Sequence, residues 1–301
     1  MNRIRRTVDP SAGTRGERRS LPWRVARLVL LTAVGSLSAA AGQVAVAEPP
    51  YTGSDRVEEW TGKKVLVVTP HPDDETFTSG GTLALLADRG NDIHVVIYTS
   101  DNAGSRDPSM THDRLAAIRR AEEEDACRIL GIPSENLTWL GHDDGMLEYV
   151  DPRELTREVA QHIRRVRPDV LFTIDPGAPY VQYHKSDHRA GAEITVDAIR
   201  AARWRLYFPE LEEQGFEAYS VPLVLFYYSA NPNYTVDISE TARRKSRAAA
   251  AHTSQFDPLV DRYDPAVITD EFLRDLANDL FERGVRENGR PVEHFRRSTS
   301  Y

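Results

Sequence analysis

The stretch KVLVVTPHPDDE, residues 64–75, decides the fold of this chain. Its first half is a short apolar run rich in β-branched residues, which is typical of a buried strand in a parallel sheet. The chain then turns polar at once, and prolines on both sides of His71 restrict the backbone there. Such a tight, non-helical turn is able to point His71 and Asp74 at one spot while Asp73 takes a different direction.

Strand and helix patterns alternate along the rest of the chain. The predicted strands are residues 64–69, 93–99, 137–140, 169–174 and 223–228, and the predicted helices are residues 79–89, 112–130, 152–166, 190–203 and 241–252. This alternation predicts a single α/β domain, Rossmann-like, with a mostly parallel sheet flanked by helices. Apolar spacing after residue 270 predicts a closing C-terminal helix, and residues 296–301 are expected to be loose.

The first 47 residues have the composition of an export signal. Residues 1–27 carry eight arginines and two acids, an apolar stretch follows at residues 25–41, and Ala45-Val46-Ala47 offers a cleavage site. This order predicts a signal peptide over residues 1–47, so we expect a secreted or cell-envelope protein. Arg18-Arg19 also allows twin-arginine export. The alternative is an uncleaved anchor, although the apolar stretch is short for a membrane span.

The predicted mature chain consists of a linker, residues 48–62, and one domain, residues 63–301. It carries 30 basic and 44 acidic residues, against 38 and 46 in the whole chain. Without a basic patch, nucleic acid is a poor candidate for a partner, and no stable membrane span is expected after processing. Cys127 is the single cysteine, so it forms no internal disulfide; its helical position predicts a small buried residue.

A second polar cluster follows the fourth predicted strand. Asp175 is followed by a loop and then by His184-Lys185-Ser186-Asp187-His188, which opens a predicted helix. Because the carboxyl ends of parallel strands meet at one edge of the sheet, this cluster is able to reach the one at His71. Two histidines and one carboxylate, with a position left for water, form an established catalytic zinc set. The two clusters together therefore predict a Zn²⁺ site.

The stretch His71-Pro72-Asp73-Asp74-Glu75 resembles the signature of the PIG-L/LmbE-like family of zinc-dependent N-acetylglucosaminyl deacetylases. Further segments within residues 63–257 resemble other parts of that family in the same order. They are Tyr98-Thr99-Ser100-Asp101 with Ala103-Gly104, Arg119, Arg120 and Glu122 with Leu130-Gly131, Leu140-Gly141 with Asp144-Gly145, and Lys245 with His252-Thr253-Ser254-Gln255.

The resemblance implies a hydrolase that removes the acetyl group from a small molecule or glycan with an N-acetylhexosamine unit. It also assigns roles to the matching residues. The metal ligands would be His71, Asp74 and His188, and Asp73 would be the general base. His184 would donate to the oxyanion and to the leaving amine, with Asp187 as its hydrogen-bond partner.

One departure from the family pattern concerns His184. The family spaces its histidines as H-x-D-H or lacks the first one, whereas this chain has H-x-x-D-H, so Tyr183 or Tyr180 are alternatives to His184. A catalytically impaired sugar-binding protein on the same fold is the alternative function. A nucleotide-dependent oxidoreductase is disfavoured because Pro70-His71-Pro72-Asp73 stands where that class needs G-x-G-x-x-G.

Three residues are candidates for substrate contacts. Asp144 is placed to accept hydrogen bonds from sugar hydroxyls, and Arg106 and Arg119 are candidates for orienting the sugar or an attached phosphate. For Arg119 the sequence equally allows an ion pair with Glu122 or Glu123 on its own helix. For His252 it equally allows a position facing the site or one at a helix end.

Overall fold

A mixed β-sheet runs through the part of the chain that our computed structural model describes, residues 49–177, 185–257, 259–282 and 286–299. Its strands are β1 Lys64–Thr69, β2 Asp92–Thr99, β3 Leu137–His142, β4 Val170–Ile174, β5 Val224–Tyr227, β6 Tyr234–Asp237, β7 Arg286–Glu287 and β8 Arg290–Ser298. The order is β3-β2-β1-β4-β5-β8-β6, with β7 beside β8. Strands β1 to β5 pair in parallel, and the pairs with β8 are antiparallel. The predicted α/β class with a mostly parallel sheet is confirmed.

Helices cover both faces of this sheet. They are α1 Asp74–Asp88, α2 His112–Leu130, α3 Pro152–Val166, α4 Ser186–Arg203, α5 Pro209–Glu213, α6 Ala242–Ala251, α7 Thr253–Phe256 and α8 Asp270–Glu282. Val65 and Val67 of β1 share one core with α1, α2 and α6, whereas Leu66 and Val68 share the other with α3 and α4. Because side chains alternate along a strand, a continuous apolar run is what a strand buried on both faces requires.

The strand order reverses beside β1. The chain moves from β1 to β2 and β3 on one side, and then returns to β4 and β5 on the other. Ligands of such sheets bind at the carboxyl ends of the strands where this reversal occurs. The turns after β1 and β4 therefore share one crevice.

Both helices that enter this crevice begin earlier than predicted. α1 begins at Asp74, not at residue 79, and α4 begins at Ser186, not at residue 190. The first turns of both helices are polar, so their apolar periodicity starts a turn late. By contrast, α2 and α3 have their predicted bounds, because the side chains of Thr111 and Asp151 cap them by accepting backbone hydrogen bonds.

The C-terminal segment and the predicted linker both pack on the rest of the described chain. The predicted closing helix is α8, but β8 follows it, and Arg296 donates hydrogen bonds of 2.7 and 2.9 Å to Asp175. The expectation of a loose end is therefore wrong for residues 296–298. Within the predicted linker, Val57 is buried and its backbone N–H donates to the hydroxyl of Tyr234.

No helix in the described part of the chain is both long and apolar enough to cross a membrane. The predicted signal peptide, residues 1–47, lies outside the described residues.

Candidate metal centre and active site

Three potential metal ligands converge at the carboxyl ends of β1 and β4. Asp74 Oδ2 lies 3.3 Å from His71 Nδ1 and 3.2 Å from His188 Nε2. His71 follows β1, Asp74 opens α1, and His188 lies in the first turn of α4. Their donor atoms all lie within 4.8 Å of one another. The structure thus brings together the three residues that the sequence analysis assigned as ligands.

Close packing of α4 against the turn after β1 holds these three ligands in place. A Cβ atom at Gly191, one turn after His188, would lie 3.1 Å from Cγ of Pro70. Glycine therefore lets α4 pack directly on the turn that carries His71.

The charges at the cluster suit a divalent cation. Although burial acts to raise it, the two imidazoles hold the pKa of Asp74 well below its usual value, so this group is a carboxylate. Burial lowers the pKa of His188, which keeps its ring neutral and able to donate an electron pair. Two imidazoles and one carboxylate are the donors that catalytic zinc prefers.

Two carboxylates contact Nε2 of His71 and so orient its imidazole ring. His71 Nε2 lies 3.2 Å from Asp144 Oδ1 and 3.2 Å from Asp187 Oδ2. Histidine ligands in proteins characteristically donate their other N–H to a carboxylate, which fixes the tautomer and leaves Nδ1 free to bind metal. This arrangement is a further reason to regard the cluster as a metal site.

Asp187 also forms hydrogen bonds to the loop after β3. It is almost fully buried and accepts hydrogen bonds from the backbone N–H of Gly145 at 2.6 Å and of Leu147 at 3.1 Å. We expected Asp187 to orient His184, which lies outside the described residues. The structure places its carboxylate against His71.

Asp73 stands beside the three ligands in an unusual backbone conformation. Its φ is 124°, a region that residues other than glycine rarely adopt, and its side chain does not cap α1. Strain of this kind persists where the surrounding structure demands it, often at active sites. Burial, followed by repulsion from Asp74 and Asp101, raises the pKa of Asp73 well above its usual value, which makes it a proton acceptor of increased basicity.

Arg119 is buried rather than on an open face. It is 2% exposed, and its Nε lies 3.1 Å from Asp101 Oδ2, so its ion-pair partner is not Glu122 or Glu123 of its own helix. The side-chain amide of Gln255 donates to the same Asp101 oxygen at 3.1 Å. The position of Arg119 does not favour direct contact with a sugar.

The remaining predicted residues fall at the rim or beyond the described part of the chain. Arg106 is exposed on the loop between β2 and α2, and Asp144 is partly exposed beside His71. His184, Tyr183 and Tyr180 lie outside the described residues.

Sequence reasoning missed two residues that contact His188. Lys185 Nζ lies 3.5 Å from His188 Nε2, and the ring of Tyr228 stacks on the imidazole at 5.9 Å between centroids. Lys185 stands two residues before Asp187, where H-x-D-H spacing places a histidine, and that spacing was the available signal. Nothing in the pattern around Tyr228 marks it, since it directly follows a buried strand.

Comparison with known proteins gives concordant matches. Residues 66–199 match the sequence profile of the PIG-L family, described as GlcNAc-PI de-N-acetylase. A diacetylchitobiose deacetylase of Thermococcus kodakarensis is 34% identical over 194 residues, which are 64% of this chain and 70% of that protein. A probable N-acetyl-alpha-D-glucosaminyl L-malate deacetylase 2 of Bacillus anthracis is 29% identical over 197 residues, covering 64% and 82%.

A solved structure agrees with these matches. The N,N'-diacetylchitobiose deacetylase of Pyrococcus horikoshii, in complex with an inhibitor, superposes with a TM-score of 0.65 at 33% identity. The superposition covers 79% of this chain and 84% of that one. Similarity in sequence and similarity in fold therefore each extend over more than half of this chain.

Proposed function

Since the chain belongs to the PIG-L/LmbE-like family of N-acetylglucosaminyl deacetylases, which are hydrolases of amide bonds, we propose that it removes the acetyl group from an N-acetylglucosaminyl unit with Zn²⁺ as its metal. The observation that carries the proposal is the convergence of His71, Asp74 and His188 beside Asp73. The relatives named as deacetylases of diacetylchitobiose and of a glucosaminyl malate support a glycan or small-molecule substrate.

His71, Asp74 and His188 would hold the zinc ion. When bound, zinc supplies a water molecule of lowered pKa and polarises the acetamide carbonyl. Asp73 takes one proton from the attacking water, and its raised pKa suits that role. A C–O bond forms and the C–N bond breaks, which gives acetate and the free amine. Of the two protons of the water, one replaces the proton that the leaving amine receives from its donor, and the other is released to solvent. Asp144 and Asp187 keep His71 in the tautomer that binds metal through Nδ1.

A donor is also needed where negative charge develops on the acetamide oxygen. We assign this role to His184, which would also protonate the leaving amine. Lys185 is the alternative, because its ammonium group lies within 3.5 Å of a ligand nitrogen. The ammonium group of Lys185 and a bound zinc ion would both be positive, and the oxyanion would be attracted to both.

Matched variants separate the two donors. If His184 is the donor, His184→Ala should lower kcat by about 10²–10³-fold with zinc retained, because its imidazolium acts mainly in the transition state. The pH profile should also lose its alkaline limb. If that variant is unchanged while Lys185→Ala is impaired, the donor is Lys185. Tyr183→Phe and Tyr180→Phe test the phenol alternatives in the same assay.

Substrate contacts are proposed for polar residues that are exposed near the metal ligands. Asp144 is the candidate for accepting hydrogen bonds from sugar hydroxyls, because its carboxylate is partly exposed next to the metal ligands. Arg106 is the candidate for an attached phosphate because it is exposed on a neighbouring loop. Either role predicts a raised KM in the alanine variant with a smaller change in kcat.

The decisive experiment measures acetate released by zinc-loaded protein without residues 1–47. The substrates are N-acetylglucosamine, diacetylchitobiose, longer chito-oligomers and glycolipids with the same unit, with Asp73→Asn as the matched control. We expect turnover by the wild type with at least one of these substrates and its loss in the variant. Saturable binding without any acetate release would favour the alternative, a catalytically impaired sugar-binding protein.

We also propose that the enzyme works outside the cytoplasm. The basic segment, the apolar stretch and the Ala45-Val46-Ala47 site at the start of the chain support this location. Glycans of the cell envelope or secreted metabolites are then the accessible substrates.

A further inference from the structure

A second cluster of potential metal ligands lies in the core between helices. Glu75 comes from α1, Glu123 and Cys127 come from adjacent turns of α2, and His252 ends α6. All four residues have an exposed fraction of 0%. None of them has a role in the proposed deacetylation.

The donor atoms of this cluster are close together. Cys127 Sγ lies 3.3 Å from Glu123 Oε1, and His252 Nε2 lies 3.8 Å from Glu123 Oε2. The donor atoms of Glu75, Glu123 and Cys127 all lie within 4.8 Å of one another. Tetrahedral zinc with bonds of about 2.0–2.3 Å places neighbouring ligand atoms about 3.3–3.8 Å apart. The donor atoms of Glu75, Glu123 and Cys127 are therefore close enough to share one ion, whereas His252, which approaches Glu123 from the end of α6, needs a larger shift to become the fourth ligand.

The cluster also contains polar atoms that the described part of the protein does not satisfy. Glu75 Oε2, Glu123 Oε2 and both ring nitrogens of His252 are buried and have no hydrogen-bond partner there. Leaving buried polar groups unpaired costs free energy, so native proteins supply a partner for nearly all of them. Two carboxylate oxygens and an imidazole that lack partners at one place point to a bound cation.

We propose that Glu75, Glu123, Cys127 and His252 bind a structural Zn²⁺ ion, separate from the metal of the deacetylation site. Thiolate, imidazole and carboxylate are all zinc ligands, and four of them complete a closed tetrahedral site. Zinc binding displaces the thiol proton of Cys127, which leaves to solvent as the site forms. The proposal does not depend on the substrate or on turnover.

Such an ion would join three helices of the core. It would link α1, α2 and the end of α6 behind Asp74, the first residue of α1, and so stabilise the position of that ligand. Because the four ligands are fully buried, the ion should enter during folding and exchange slowly. The deacetylation-site metal should exchange faster, since His71 is partly exposed.

The first test is metal content after expression in zinc-supplemented medium, measured by elemental analysis. We expect two equivalents per chain, of which brief dialysis against a chelator removes one. His188→Ala should retain one equivalent that resists the chelator. Glu123→Gln combined with Cys127→Ser should retain only the exchangeable one. A wild type that holds a single, fully exchangeable equivalent would overturn the proposal.

The second test is spectroscopic, and its main readout is on the wild type. Protein expressed with Co²⁺ in place of zinc should show a near-ultraviolet thiolate-to-cobalt charge-transfer band, because Cys127 is the single cysteine of the chain. The band should survive brief chelation and be absent from Cys127→Ser. Cobalt-loaded wild type without this band would contradict the site even if it deacetylates its substrate. Loss of turnover with the band intact would instead contradict the proposed function.

Discussion

Asp187→Asn tests how far the carboxylate behind His71 controls metal binding. The substitution keeps the size of the side chain and removes its charge. Asp187 Oδ2 lies 2.6 Å from the N–H of Gly145 and 3.2 Å from His71 Nε2, while Oδ1 accepts from the N–H of Leu147 at 3.1 Å. The side chain is almost fully buried, so water offers little replacement.

The expected magnitude follows from these three contacts. An asparagine has one acceptor oxygen, and its amide N–H₂ would face an N–H donor on the other side. Either Leu147 or the pair of Gly145 and His71 therefore loses its acceptor, at a cost of about 1–3 kcal/mol. Loss of the carboxylate that orients a histidine ligand lowers metal affinity by about 10–100-fold, which corresponds to about 1.4–2.7 kcal/mol.

The assay is competition for zinc against a chromophoric chelator at fixed pH. We expect the affinity of the exchangeable site to fall by about 10–100-fold in Asp187→Asn. Asp151→Asn is the matched control, because Asp151 caps α3 and asparagine caps helices equally well. Unchanged zinc affinity in Asp187→Asn would refute the orienting role of this carboxylate.

Four further predictions concern single groups. Asp73→Asn should retain its zinc while kcat falls by about 10²–10⁴-fold, and near-normal turnover would assign the base to another residue. His188→Ala should lose most of the exchangeable zinc in elemental analysis, and full occupancy would contradict the ligand set. Burial acts to raise the pKa of Asp175, but hydrogen bonding from Arg296 holds that pKa below its usual value. The pair therefore stabilises the fold above about pH 4. Its contribution disappears as the pH falls through the pKa of Asp175 in the folded state. Arg296→Leu should thus cost about 1–3 kcal/mol in urea unfolding at neutral pH, and less at a pH low enough to protonate Asp175; an equal cost under both conditions would contradict this account. Terminal sequencing of exported protein should begin at Glu48, whereas an intact first residue on membrane-bound material would favour the anchor.

Local patterns in the sequence were sufficient for the parallel half of the fold. β1, α2 and α3 have their predicted bounds because apolar periodicity, capping residues and helix stop signals all lie within the segments themselves. The candidate ligands were also accessible to sequence reasoning, since polar residues directly after parallel strands meet at one edge of the sheet. The HPDDE stretch, residues 71–75, added a family resemblance that composition alone does not contain.

The C-terminal strand shows what local patterns do not contain. β8 is rich in charged residues and reads as a polar tail, yet Glu293 is buried and accepts hydrogen bonds from Gly81, Thr82 and Lys245. The energy that orders this strand comes from partners roughly fifty to two hundred residues away in sequence. No periodicity within the strand records such contacts.

For the functional site, too, the sequence determined some assignments and the tertiary structure determined others. Residue type and spacing determined which side chains are able to bind metal, because donor chemistry belongs to the residue itself. Only the tertiary structure decided that Asp187 faces His71, that Arg119 pairs with Asp101, and that Glu75 and His252 approach Glu123. Each of these contacts joins different elements of the fold. Their geometry depends on how helices pack across the sheet, and that is a property of the whole core.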